Sequence, residues 1–478
     1  MLENLKPERV FYYFEKMCEI PHGSGNTKQI SDFCVNFAKD LGLEYHQDSD
    51  NNVIIIKEAA AGYENAPAVI LQGHLDMVCE KTADCNKDME KEGLDVYVDG
   101  DEVRARNTTL GGDNGIAVAM AMAILEDKSL KHPRVEAVFT VDEEIGLLGA
   151  GVIDVSPLQG KMMINIDSEL EGVFTVSCAG GNTTEVKIPV LGSDYSGDGY
   201  FLHIRGLAGG HSGVEIHKQR ANSNVIMGRI LRELDKACGI RIISVNGGLK
   251  DNAIPLDTKA KFVCKDDSQI QAIVEGVSAI IKKEYESTDP DMKISLSKES
   301  FTDVKCFDEE STDKMITMLY CSPNGVQKMS LDIDNLVQTS LNLGIVKMNN
   351  DYMLASFCVR SSVGSERADV NEKIRTLGEF LGGSVEIKGD YPGWEYRKDS
   401  ALRDCMIDVF KQQYGKEPVV EAVHAGLECG MFAGKIEDLD CVSIGPNLSN
   451  IHTVHESMNI PSVQRVYDYV CKVLEVIK

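Results

Sequence analysis

The chain is 478 residues long, 43% hydrophobic and 26% charged, enough for two or more domains with ample cores. Its formal net charge of −26 argues against nucleic acid or an anionic membrane surface as a partner, since both are bound by basic faces. Fourteen cysteines, scattered and without a Cys-x-x-Cys pair, point to reduced, buried thiols rather than a disulfide framework.

Residues 1–19 mix Glu, Lys and Arg among apolar positions at helical spacing, with neither the apolar core nor the cleavage site of a signal peptide. No window reaches the ~18 apolar residues of a membrane span, so a cytoplasmic protein is expected. Periodicity predicts amphipathic helices over 7–19 and 26–41, flanking the loop Ile20-Pro21-His22-Gly23-Ser24-Gly25. Strands follow at 52–57 and 68–72, then a hairpin around 96–104. Residues 114–126 read as a helix that is apolar nearly all round and hence buried. A strand over 135–141, a short helix over 144–151 and a strand over 161–166 continue the α/β alternation.

From about residue 183 the pattern changes. Strands are predicted at 183–190, 200–204, 241–245, 292–296, 329–337, 340–347 and 353–360, with helices over 222–237, 269–284 and 365–381. The earlier alternation then resumes, with helices over 400–414, 427–433 and 463–476 and strands at 418–422 and 441–444. The expected fold is therefore an α/β domain built from residues 1–182 and 385–478. Its mixed, mostly parallel sheet carries helices on both faces, and residues 183–384 form an inserted α+β domain.

Chemistry-bearing residues recur at strand ends. His74 and Asp76 close the apolar run Ala68-Val69-Ile70-Leu71 and share one face of an extended backbone. A carboxylate two residues from a histidine can fix its tautomer and strengthen the other nitrogen as a metal ligand. By itself His-x-Asp is a common chance pattern. It is joined, however, by Gly111-Gly112-Asp113-Asn114-Gly115, by Asp142-Glu143-Glu144, by Asp167 and by His452. Each of these follows a predicted strand or opens a helix, and open α/β sheets build their sites at the carboxyl ends of strands. Two histidines and several carboxylates without a cysteine suit Zn²⁺, and less selectively Mn²⁺ or Co²⁺.

A pair of metals needs a bridging carboxylate, for which glycine-flanked Asp113 is the candidate. His74 and Asp167 would then serve one metal, Glu144 and His452 the other, and Glu143 would act as general base to a metal-activated water. Alone, Asp142-Glu143-Glu144 reads as a solvated acidic helix start.

These motifs, Gly73-His74-Leu75-Asp76-Met77-Val78, Gly112-Asp113-Asn114-Gly115, Asp142-Glu143-Glu144-Ile145-Gly146, Asp167 and His452-Thr453-Val454-His455-Glu456, span nearly the whole chain. In this order the chain resembles the co-catalytic zinc aminopeptidase, carboxypeptidase and aminoacylase family, whose members carry an inserted lid domain. Five further stretches are most similar to its aminoacyl-histidine dipeptidase branch. They are the loop at 20–25, Gly209-Gly210-His211-Ser212-Gly213, Asp251-Asn252-Ala253-Ile254-Pro255, Tyr391-Pro392-Gly393-Trp394 and His424-Ala425-Gly426-Leu427-Glu428-Cys429-Gly430. The resemblance implies two Zn²⁺ per subunit held by His74, Asp113, Glu144, Asp167 and His452, with Asp76 as orienter and Glu143 as base.

Where the family has one histidine four residues before a glutamate, this chain has His452 and His455; His452 keeps that spacing to Glu456. The resemblance also implies that His211 reaches the oxyanion, that Asn252 and Arg360 bind the substrate's carboxylate, and that His424 and Glu428 contact its free amine or the metal shell. Taken alone, His211 reads as a loop histidine capping its own backbone, Arg360 as a surface ion pair and Trp394 as core. His22, His46, His132, His203 and His217 read as structural.

The expected activity is hydrolysis of dipeptides, including Xaa-His, with dipeptides as substrates and neither nucleic acid nor membrane as a partner. An N-acyl amino acid deacylase would use the same metal centre and differ at the substrate's amino end. A metal-dependent scaffold without catalysis is disfavoured by the presence of Glu143. A homodimer stays open, since a lid of this size either replaces or supports one.

Overall fold

The computed structural model describes residues 2–194, 198–299 and 305–478. The chain folds as two compact units: Met1–Cys178 with Trp394–Ala422 and Leu427–Lys478, and Ala179–Gly393 with Val423–Gly426. The boundaries differ from the expected 183 and 384. Strand Ser384–Tyr391 pairs with Gly180–Pro189, so its backbone belongs to the inserted sheet.

The first unit is built on an eight-stranded mixed sheet. Its order is Glu44–Gln47, Val53–Lys57, Val135–Thr140, Val69–His74, Met162–Asn165, Asp440–Ser443, Val173–Cys178 and Val419–Val423. The centre is parallel: Val69–His74 lies between Val135–Thr140 and Met162–Asn165, and the last of these pairs with Asp440–Ser443. Every residue of Val69–His74 and Val135–Thr140 is buried, as expected of parallel strands covered on both sides. Parallel strands end on one edge, so the segments following His74, Thr140, Asn165 and Ser443 all leave the sheet together. A small antiparallel sheet adds Leu448–Ser449 and Ser457–Asn459 to the hairpin Glu102–Ala105 and Val96–Asp99. It anchors both ends of the loop that carries His452.

Helix Gly112–Glu126 is buried from Asn114 to Leu125, in keeping with a helix that is apolar all round. It packs so closely on the central strand that a Cβ on Gly73 would lie 2.4 Å from the Asn114 side chain and 2.8 Å from Ala117 Cβ. The predicted helix over 144–151 begins only at Leu148. Gly146 and Leu147 take positive φ of 119° and 60°, leaving Glu143 and Glu144 in a tight turn rather than a helical first turn.

The second unit holds a nine-stranded sheet whose paired strands run antiparallel. Lys293–Glu299, Asp198–Arg205, Thr258–Cys264, Arg241–Gly247, Val337–Met348, Tyr352–Ser361, Gly180–Pro189 and Ser384–Tyr391 follow one another, and Gly325–Met329 pairs with Val337–Met348. Its core is formed with helices Ser223–Cys238, Ile270–Glu284, Glu309–Cys321 and Gly364–Phe380. The predicted strand over 329–337 is instead a turn between two strands, with the Ser330 hydroxyl accepting from the backbone of Asp332 and Ile333.

Gly73→Ala is expected to cost about 1–3 kcal/mol through overpacking against Asn114 and Ala117. The check is a urea unfolding midpoint that falls while the m-value stays constant.

Candidate metal centre

The common strand edge brings together what the sequence scatters over nearly 400 positions. His74 ends its strand, Asp113 lies in the opening turn of the buried helix, Glu144 follows Val135–Thr140, Asp167 follows Met162–Asn165, and His452 lies beyond Asp440–Ser443. His74 Nε2 lies 3.4 Å from Asp113 Oδ1 and 3.5 Å from Asp167 Oδ1. His452 Nε2 lies 3.2 Å from the other Asp113 oxygen, Oδ2, and 2.9 Å from Glu144 Oε1. Asp113 thus faces one imidazole with each oxygen. Ligand atoms of His74, Asp113 and Asp167 form one group within 4.8 Å of one another, and those of Asp113, Glu144 and His452 form a second. His455 is in neither group; its backbone bonds to Thr453 and Arg104.

Local folding aims these side chains. The backbone N–H of His74 donates to Asn114 Oδ1 at 3.1 Å, and the Asn114 amide donates to Ile166 O at 2.6 Å, tying three site segments together. Asp76 orients His74 first through its backbone carbonyl, 2.9 Å from Nδ1, with its carboxylate at 3.5 Å. That carboxylate also accepts from the backbone N–H of Glu143 and Glu144 and from the Ser24 hydroxyl, at 3.1, 3.4 and 2.7 Å. One residue therefore fixes both the first histidine and the acidic turn. Asp142 accepts from the Gly25 N–H at 2.6 Å, so the loop at 20–25 braces the same turn.

Five carboxylates, on Asp76, Asp113, Glu143, Glu144 and Asp167, meet two imidazoles. Among the described residues no lysine or arginine forms an ion pair with any of them. Burial opposes a charged His74, but Asp113, Asp167 and Asp76 outweigh it and hold its pKa well above the usual value. His452 is raised to about 10 by Asp113 and Glu144. Burial pushes Glu143 up to about 9, with Asp167, Glu428 and Glu144 adding to it against His74, and lifts Asp167 to about 6. Asp113 is lowered instead, its two imidazoles overcoming its burial, and Asp76 is lowered as well, His74, Ser24 and the Glu143 N–H outweighing its burial. The donor set fits divalent cations: hard and borderline ligands, an excess of negative charge and a shared central carboxylate.

The second unit gathers the other four predicted residues. Strand Gly210–His211 pairs with Ala253–Ile254, which sets His211 opposite Ala253 and beside Asn252. His211 Nδ1 accepts from the backbone N–H of Gly213 and Val214 at 3.2 and 3.3 Å. The neutral ring then carries its proton on Nε2, which is left as a donor. His424 Nε2 lies 2.7 Å from the Ser340 hydroxyl. Burial, then the charges of Arg360 and His211, lower its pKa to about 3. Arg360 is buried, donates to the Tyr391 hydroxyl at 3.0 Å, and keeps an unpartnered Nε.

Of the remaining histidines, His22 meets Ile20 O at 2.6 Å, His46 Glu44 at 3.1 Å, His132 Pro133 O at 2.7 Å and His203 Asp257 on a neighbouring segment at 2.6 Å. Trp394 is core, its backbone paired with that of Cys178. Glu428 is wholly buried, taking the Gln72 amide and the Thr140 hydroxyl at 2.5 and 2.7 Å.

Residues 70–476 match the model of Peptidase family M20/M25/M40. The cytosol non-specific dipeptidase of Escherichia coli (strain K12) is 34% identical over 99% of this chain and 98% of its own length. The crystal structure of an aminoacylhistidine dipeptidase from Vibrio alginolyticus superposes with a TM-score of 0.95 at 32% identity, covering 100% of this chain and 98% of that one. An aminopeptidase PepT from Bacillus cereus shares the fold, with a TM-score of 0.56 at 15% identity over 98% of each chain.

Sequence reasoning missed Glu456, using it only as a spacing mark. Its buried carboxylate accepts four backbone N–H groups, from Leu110 and Gly111 on one oxygen and Gly112 and Asp113 on the other, at 2.7–3.3 Å. It shapes the turn that presents Asp113. Glu456→Ala strands those donors, each costing about 1–3 kcal/mol when buried unmet. A loss of at least ~3 kcal/mol in chemical denaturation is expected, against less than ~0.5 kcal/mol for the exposed His455→Ala.

Proposed function

The chain belongs to Peptidase family M20/M25/M40, and from that premise we propose that it is a metal-dependent dipeptidase hydrolysing Xaa-Yaa dipeptides, Xaa-His among them. The reading is supported by the full-length likeness to a cytosol non-specific dipeptidase and to an aminoacylhistidine dipeptidase. The observation that carries the hydrolytic centre is Asp113, its two oxygens divided between His74 and His452.

His74 and Asp167 on one side of Asp113, and Glu144 and His452 on the other, would hold two Zn²⁺, with Mn²⁺ or Co²⁺ as substitutes. When bound, such a pair polarises the scissile carbonyl and lowers the pKa of water reaching it. Glu143 takes the proton of the attacking water and passes it to the leaving amine. Among the described residues no hydrogen bond engages its carboxylate, which leaves both oxygens open to that exchange. Asp76 keeps Glu143 and His74 in register through its shared hydrogen bonds.

In the second unit Arg360 and Asn252 bind the substrate's terminal carboxylate, with Arg360 offering a planar fork. His424, kept neutral, lines the same cluster. The Nε2–H of His211 stabilises the oxyanion. A clamp on the carboxylate confines the enzyme to short substrates. Fourteen free cysteines are in keeping with a cytosolic site of action.

A panel of dipeptides beside N-acetyl amino acids, with and without chelator, tests the reading. Cleavage of free-amine dipeptides alone, abolished by chelator and restored by Zn²⁺ or Mn²⁺, is expected; cleavage of the N-acetyl set instead would make the protein a deacylase. Glu143→Ala should lower kcat by at least about 10²-fold with metal content unchanged. Arg360→Ala should raise KM for dipeptides about 10–100-fold while leaving dipeptide amides, which lack the carboxylate, little affected.

A further inference from the structure

A cavity of about 740 Å³ opens in the first unit beside the metal-ligand cluster, and Glu144 lines both. Its walls come from three further segments: the loop at 23–26, Met77-Val78-Cys79 directly beyond Asp76, and Met89-Glu90-Lys91. Ile145, next to Glu144, completes it and is 55% exposed. An exposed isoleucine alone needs no explanation. Here Ile145, Met89, Val78 and Met77 converge from separate segments on one hollow, and the hollow shares a wall with the reacting centre. Concave, mainly apolar pockets of this size are the usual form of a small-molecule subsite.

We infer that this cavity receives the side chain of the substrate's amino-terminal residue and that Met89 and Ile145 set its preference for apolar side chains. The inference rests on the dipeptidase reading. The amino-terminal residue owns the carbonyl that is attacked, so its Cβ is two bonds from the reacting carbon, whereas that of the second residue is three bonds away. A pocket that begins at Glu144 is therefore in reach of the first side chain before the second. Methionine side chains adapt to differing shapes, and the volume leaves room for aromatic as well as aliphatic groups. Broad acceptance of apolar first residues follows, with Gly at that position gaining nothing from the pocket.

The test uses full-length enzyme with Zn²⁺ or Mn²⁺ and compares kcat/KM for Gly-Ala, Leu-Ala, Phe-Ala, Lys-Ala, Ala-Leu and Ala-Phe. Met89→Glu and Ile145→Glu are each expected to lower Leu-Ala and Phe-Ala about 10-fold or more relative to Gly-Ala. Both should raise Lys-Ala relative to Leu-Ala, and Met89→Leu, which keeps the wall apolar, should keep Leu-Ala and Phe-Ala ahead of Gly-Ala. An equal change across the panel, or one that follows Ala-Leu and Ala-Phe, overturns the assignment while Gly-Ala turnover keeps the dipeptidase reading intact. Should the parent enzyme cleave no dipeptide, that reading fails first and the pocket assignment falls with it.

Discussion

The first unit turns on one carboxylate. Asp113 stands between two histidines separated by 378 positions and gives one oxygen to each. A carboxylate so placed cannot relax toward either side without abandoning the other. Its backbone is correspondingly constrained: Glu456 grips the N–H groups of Leu110 to Asp113, and Asn114 links His74 to Ile166. The parallel strands supply the common edge, and the hydrogen bonds of Asp76, Asn114 and Glu456 supply the aim. The sheet alone would bring these side chains near one another; their orientation is the work of buried polar groups. Misplacing a reacting group by an ångström can cost orders of magnitude in rate.

Much of this was legible in the order of residues. Parallel strands announce themselves as short, wholly apolar runs, and the chemistry-bearing residues stand directly after them, so position along the chain predicted position in space. His452 was separable from His455 by spacing to Glu456, and it is the His452 ring that lies against Asp113 and Glu144. The acidic turn was harder. Asp142-Glu143-Glu144 followed by Ile-Gly-Leu-Leu-Gly has the composition of a helix start, but positive φ at Gly146 and Leu147 delays the helix to Leu148. What overrides propensity there is the Asp76 carboxylate, a partner 67 residues away. Glu456 was illegible for a related reason: its partners are backbone N–H groups, which every residue has and no sequence pattern marks.

In the second unit the antiparallel sheet was under-read. Strands Thr258–Cys264 and Ser384–Tyr391 and helix Glu309–Cys321 carry mixed polar and apolar residues; the first is mostly buried, the second mostly exposed, and the helix buries only one side. Alternation over so few residues is a weak signal beside the solid apolar runs of the first unit. The four residues placed there by resemblance are nonetheless neighbours. Paired strands set His211 opposite Ala253 and so beside Asn252, and Arg360 and His211 both act on His424.

The position of strand Asp440–Ser443 has a consequence for how the protein is made. It lies inside the sheet, between Met162–Asn165 and Val173–Cys178, although it is among the last strands to be synthesised. While the ribosome is still producing the inserted unit, the N-terminal half already exists but its sheet has a vacant lane, and the His452 loop has not yet emerged. An unfinished chain therefore lacks both a strand from inside its sheet and His452, one of the five candidate metal ligands. The central sheet and the candidate metal centre are thus completed together, only once Asp440–Ser443 and the His452 loop have both been made.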